Sequence, residues 1–190
     1  MKKNAFAAII LLIGIFLNTP SMAQKSPEIE FNGTFGGMGD NFWTQYYGLA
    51  STLYLPISAK FSIGIHGETS LYGKYVHYFI GDPTSMSSKM KNISLKARIN
   101  VANAGKFRFY GLMSGGMIFV SREGDIYMPE ANDKSVGIGP GFNVSLNLGK
   151  GISYQIVQGD FLWTKESFLG MDRKFWPTVS TGIRIQLRNK

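Results

Sequence analysis

The sequence predicts an all-β chain of eight antiparallel strands, each joined to the next and running up and down. Three observations carry this prediction. Apolar and polar side chains alternate with period two, the periodicity of a pleated strand. Between Asn92 and Val101 the alternation is unbroken, with Ile93, Leu95, Ala97, Ile99 and Val101 on one face and Asn92, Ser94, Lys96, Arg98 and Asn100 on the other. The alternating stretches are also long, where strands of ordinary sheets have a mode of about 5 to 6 residues. Finally, the connections between them alternate between tight and long, the first hairpin at 38–41 being the one departure.

The strands follow in order. The first falls at 28–37 and the second at 42–55, joined by 38–41. A tight connection at 56–59 leads to the third, 60–72, where Phe61, Ile63, Ile65 and Leu71 oppose Ser62, His66, Glu68 and Ser70. A long connection, 73–90, precedes the fourth strand at 91–101. The fifth, 106–120, follows the tight segment 102–105, and the sixth, 135–148, follows the long segment 121–134. Pro140 removes a ladder donor within the sixth strand, so a bulge or weakened pair is expected there. Gly149-Lys150 turns the chain into the seventh strand, 151–163, in which the phase around Gln158-Gly159-Asp160-Phe161 is ambiguous. After 164–174 the eighth strand, 175–188, sets Val179, Ile183, Ile185 and Leu187 against Thr178, Ser180, Arg184 and Gln186.

The N-terminus predicts export. Lys2 and Lys3 precede the apolar run from Ala5 to Leu17, and Ser21-Met22-Ala23 supplies the small residues of a cleavage site. Residues 1–23 therefore fit a secretory signal peptide cleaved after Ala23, leaving one domain over 24–190. The run is shorter than the roughly 18 residues of a membrane-spanning helix. No cysteine is present, so disulfides contribute nothing to stability. The formal charge of +8 falls to +6 without Lys2 and Lys3. These bases are scattered along strands instead of forming a block, which argues against a nucleic-acid partner and for anionic lipid headgroups.

If successive hairpins point to opposite ends, the tight turns gather at one end and the long loops at the other, as in outer-membrane barrels. A tilted membrane strand needs about 9 to 11 residues, which these strands supply. Aromatic residues collect toward the loop end, and Trp43, Tyr47, Trp163 and Trp176 are the expected girdle at the lipid–water interface. With the signal peptide, eight amphipathic strands, Val136-Gly137-Ile138-Gly139 and the closing strand Val179-Ser180-Thr181-Gly182-Ile183-Arg184-Ile185-Gln186-Leu187, the chain resembles the small Gram-negative outer-membrane β-barrels of the OmpA and OmpX type, in particular the generic barrel domain of Bacteroidota-like bacteria. The resemblance covers 24–190. It implies an eight-stranded antiparallel up-and-down transmembrane β-barrel in the outer membrane, inserted by the barrel-assembly machinery, with both termini on the periplasmic side.

In lipid the charged face must point inward, because an Arg or Lys at the midplane costs about 2 to 4 kcal/mol. Glu68, Lys96, Arg98, Arg108 and Arg184 are then expected to form a lumen network, helped by Asn92, Asn143, Ser145 and Gln155, with more bases than acids. Gly137, Gly139 and Gly141 on the same face would leave room for Arg98 or Arg184. Eight strands enclose just enough space for side chains, so the lumen is filled.

The expected role is structural or adhesive. Tyr75, Tyr78, Phe79, Met86, Met90, Tyr127, Met128 and Phe168 offer loop contacts for an extracellular protein or surface ligand. Lys74, Lys89, Lys91, Arg122, Arg173 and Lys174, near the outer rim, are expected to pair with lipopolysaccharide phosphates. Three alternatives remain: a narrow channel, an acyl-modifying outer-membrane enzyme and a soluble periplasmic lipocalin-like carrier. His66, Glu68 and Ser70 share a face about 7 Å apart, too far for nucleophile and base. Neither catalysis, nor a cofactor, nor a metal is expected: two distant histidines make a poor metal site, and Gly137, Gly139 and Gly141 lie along a strand and open no nucleotide-binding helix.

Overall fold

The structure, a computed structural model, describes residues 26–38, 44–79, 82–124, 129–165 and 175–187. The expected signal peptide, Trp43, Tyr127, Met128, Phe168, Arg173 and Lys174 lie outside them. Eight strands form one closed barrel in chain order: β1 (Glu28–Met38), β2 (Thr44–Pro56), β3 (Phe61–Phe79), β4 (Asp82–Ala104), β5 (Phe107–Arg122), β6 (Ala131–Gly149), β7 (Ile152–Thr164) and β8 (Phe175–Gln186). All pairs are antiparallel, and β8 closes on β1 from Glu28↔Gln186 to Gly36↔Thr178. Among the described residues closure leaves no strand edge within the wall, which a bilayer demands because it offers no water to unpaired backbone groups.

Side chains sort by parity. Ile65, Leu71, Ile93, Leu95, Val136 and Ile138 stand on the outside, Leu95 with 69% of its surface exposed. Glu30, Thr52, His66, Lys96, Arg98 and Arg184 are buried within. A soluble barrel would present the reverse, so the orientation is that of a barrel wrapped in hydrocarbon.

The tight turns form one end. Gly105 opens the β4–β5 turn at φ 60°, and Gly149, Lys150 and Gly151 make the β6–β7 turn at φ 86°, 54° and 80°. Glycine takes these left-handed angles without a Cβ clash. The β2–β3 turn is fastened by the Phe61 amide, which donates to Ser58 Oγ at 3.1 Å.

At the other end, the segment expected as a loop over 73–90 is largely a continuation of β3 and β4. Its strand character was hidden by a bulge. Tyr47 pairs with Tyr72 and Gly48 with Ser70, so Leu71 is the extra residue and the inward parity of β3 flips beyond it. Met86 and Met90, expected in an exposed loop, are accordingly buried inside the barrel on β4.

Pairing of β6 with β7 runs from Ile138↔Trp163 to Gly141↔Asp160 and skips Gly139 and Pro140, the weak point expected at the proline. The crowding there differs from expectation. A Cβ on Gly139 would strike the Phe161 carbonyl oxygen, and one on Gly141 would lie 2.5 Å from the Gly159 oxygen. These glycines admit the β7 backbone, not the arginines.

Candidate functional site: the barrel interior

The turn-side half of the lumen is ionic. Glu28 and Glu30 of β1 project inward with the parity of Asn32 and Thr34. The Arg98 guanidinium donates to Glu30 Oε1 at 3.1 Å and also engages Glu28. Arg184 Nε donates to the same Glu30 oxygen at 2.6 Å, and its Nη2 donates to Asn143 Oδ1 at 3.3 Å. Both guanidinium groups lie over rings, Arg98 at 4.0 Å from the Tyr54 centroid and Arg184 at 4.7 Å from that of Tyr110. Stacking on an aromatic face suits the weakly hydrated, planar guanidinium and partly compensates its loss of water.

The network continues toward the barrel centre. Asn143 Nδ2 donates to Gln158 Oε1 at 3.1 Å, and Gln158 Nε2 donates to Asp160 Oδ2 at 2.7 Å. Lys96 Nζ pairs with that carboxylate at 2.8 Å, and Ser114 donates to its other oxygen at 3.2 Å. Asp160 reaches the lumen because β7 slips by one residue between Gln155 and Gln158, an irregularity that sets 158, 160 and 162 inward after 153 and 155. Its uncertain sequence phase thus resolves into the counter-charge of Lys96.

Among the described residues three acids, Glu28, Glu30 and Asp160, pair with three bases, Lys96, Arg98 and Arg184, while Glu68 takes its contacts from Tyr46, Asn92 and His66. The two β1 glutamates, absent from the expected network, supply the counter-charges of Arg98 and Arg184. Their signal was present in the sequence, since Glu28, Glu30, Asn32 and Thr34 alternate with Ile29, Phe31, Gly33 and Phe35. Arg108 stands apart from the pairs. It is half-buried at the turn-end mouth, where it lines a cavity of about 140 Å³ with Glu28, Asn147, Ser153 and Arg184.

The loop-side half is apolar. Tyr46, Met86, Met90, Ile118, Val120, Leu162 and Trp176 form a cluster inside the barrel. Trp176, expected in the girdle, is 2% exposed and stacks on Tyr46 with ring centroids 5.7 Å apart. It shares the parity of Thr178, which is inward, while its indole donates to the Tyr46 hydroxyl at 3.3 Å. Tyr47 and Trp163 point outward, 53% and 49% exposed. Trp163 and Phe175 lie 5.0 Å apart on the outer wall, as do Phe35 and Tyr47 at 5.2 Å.

The two halves meet at Glu68, which accepts from the Tyr46 hydroxyl at 3.2 Å and from Asn92 at 3.4 Å. His66 Nε2 is 3.7 Å from Glu68, and its Nδ1 is 2.8 Å from Thr52 Oγ1. The side chains lean together more closely than the 7 Å strand repeat suggests. Hydroxyl, imidazole and carboxylate stand in the order of a hydrolytic triad, but all three are buried, Thr52 completely. Ser70 does not join them: its oxygen accepts the Met90 amide at 2.7 Å. A nucleophile needs an approach for substrate, and this cluster is enclosed. Asn32, Thr34, Asn92 and Ser94 carry buried polar atoms without a protein partner, the kind of group that internal water satisfies.

The chain is similar in structure to three small barrels. Neisserial surface protein A superposes with a TM-score of 0.63 at 10% identity, over 85% of this chain and 97% of the other. The outer membrane protein OprG from Pseudomonas aeruginosa gives 0.57 at 9% identity, over 87% and 97%. The N-terminal β-barrel domain of Pseudomonas aeruginosa OprF gives 0.51 at 14% identity, over 86% and 98%. No family model matches the sequence, and no curated protein matches it. The fold is therefore that of the small outer-membrane barrels, and the likeness extends to the fold alone.

Proposed function

We propose that this protein is exported by a signal peptide cleaved after Ala23, resides in the outer membrane, and serves as a non-enzymatic surface-interaction barrel whose loop end meets extracellular partners and lipopolysaccharide. One observation carries the reading: an apolar exterior surrounds an interior filled by paired charges on one side and an apolar plug on the other. A barrel so filled leaves its outer wall and loop end as the surfaces available for function. The lipocalin-like reading loses its support, because its ligand cavity would require the apolar faces inside.

A narrow channel is the second reading, favoured by the unpartnered polar atoms of Asn32, Thr34, Asn92 and Ser94. The test is direct. Outer-membrane fractions in detergent should show a heat-dependent gel shift, and the purified barrel in planar bilayers should give no stepwise conductance. Regular ion-conducting steps would favour the channel. A soluble periplasmic protein with no heat shift would overturn both.

A further inference from the structure

The outer wall of the barrel is divided at its loop end. On β7, β8, β1 and β2 it carries the aromatic pairs Trp163–Phe175 and Phe35–Tyr47. On β4 and β6, either side of β5, it carries lysines. Register aligns Lys91, Phe119 and Lys134 in one row across these three strands, and Lys89, Ser121 and Asn132 in the next row toward the loops. These residues, together with Val120 and Asp133, line a groove of about 540 Å³. Asp133 has the parity of inward-facing Ser135, whereas all three lysines are exposed on the outward face.

The adjacent outward row toward the turns is apolar: Ile93, Met117 and Val136. Lys91 and Lys134 thus sit one row above the hydrocarbon belt and Lys89 one row further, at the depth of lipid headgroups. We infer that this groove holds the phosphates of an anionic outer-leaflet lipid, with Lys89, Lys91 and Lys134 as donors and Phe119 packing beneath. An ammonium there forms a charge-assisted bond to phosphate while its methylene stem stays on apolar surface. Arg122, which the sequence placed with this rim, is excluded: it is buried and donates to the Pro129 carbonyl at 3.2 Å. The inference rests on the outer-membrane reading above and gives its lipid partner a location.

The test uses the folded full barrel in detergent, with native mass spectrometry counting bound bisphosphorylated lipid A against the same lipid with both phosphates removed. Wild type should retain the phosphorylated form selectively, and the K89Q/K91Q/K134Q variant should bind it about a hundredfold more weakly, given the attraction of each Lys to an anionic surface. K165Q, on exposed Lys165 beyond β7, should bind like wild type. Equal retention of both lipids, or an unaffected triple variant, overturns the inference. So does full displacement by millimolar inorganic phosphate, which would assign the groove to a free anion. A heat-dependent gel shift in the same samples separates the two failures: a shift with no selective lipid removes only the groove, while no shift removes the membrane barrel itself.

Discussion

The two halves of the lumen close the same barrel by different physics. On the turn side, Glu30 is wholly buried and holds two guanidinium groups with one oxygen, so its contribution depends on charge and direction. On the loop side, Met86, Met90, Ile118 and Leu162 fill volume, and their contribution depends on size. The interior therefore tolerates change unequally. A directional ion pair fails when either member is removed, because the survivor is left charged and unpaired. An apolar plug relaxes, especially one containing methionines, whose unbranched side chains refill gaps.

Breaking the ionic half should therefore cost most. Glu30→Ala leaves Arg98 with Glu28 alone and removes the close partner of Arg184, and should lower stability by about 3–5 kcal/mol. Urea titration of the folded barrel in lipid vesicles, read by the heat-dependent gel shift, measures this. Adding Arg98→Ala should cost less than the sum of the single changes, since the two groups share one network. Additive losses would mean that the pair does not act as a unit. Because the pair is buried, high salt should leave the Glu30→Ala deficit nearly unchanged.

The apolar half should yield less to a comparable truncation. Leu162→Ala is expected to cost about 2–3 kcal/mol in the same titration, at the low end for buried leucines because Met86 and Met90 can move into the space. A loss equal to that of Glu30→Ala would erase the distinction between the halves. Met90→Leu conserves volume and should cost less than about 1.5 kcal/mol.

The sequence displayed this division unevenly. Strand alternation placed Lys96, Arg98, Arg184 and Glu68 on one face, and their inward burial follows from the same parity. Glu28 and Glu30 were equally readable but sit at the very start of β1, where an alternating pattern has no preceding residues to establish phase. Asp160 was not readable, because the slip between Gln155 and Gln158 leaves no mark in residue type. Leu71 hid the extension of β3 by the same device. Trp176 shows the opposite case: its parity with Thr178 marked it as inward, but its place near the loop end suggested the girdle. Position along the strand gives depth in the membrane, whereas only parity gives inside or outside.

Trp176 and Trp163 therefore offer the finest test of inside against outside, since both lie near the loop end on neighbouring strands, with Leu162 rather than Trp163 paired to Trp176. With Trp43 replaced by Phe, each remaining tryptophan can be observed alone after changing the other to Phe. Brominated lipids should quench Trp163, which stands on the outer wall, and leave Trp176 bright behind the barrel wall. In stability the two changes should differ slightly and in a fixed direction. Trp176→Phe removes the hydrogen bond to Tyr46, for about 1 kcal/mol, and leaves the Tyr46 contacts to Glu68 and Thr178 in place. Trp163→Phe keeps an aromatic ring against Phe175 and should be smaller still. Equal quenching of both tryptophans would place Trp176 in lipid, and the loop-side plug would then lose the ring that stacks on Tyr46.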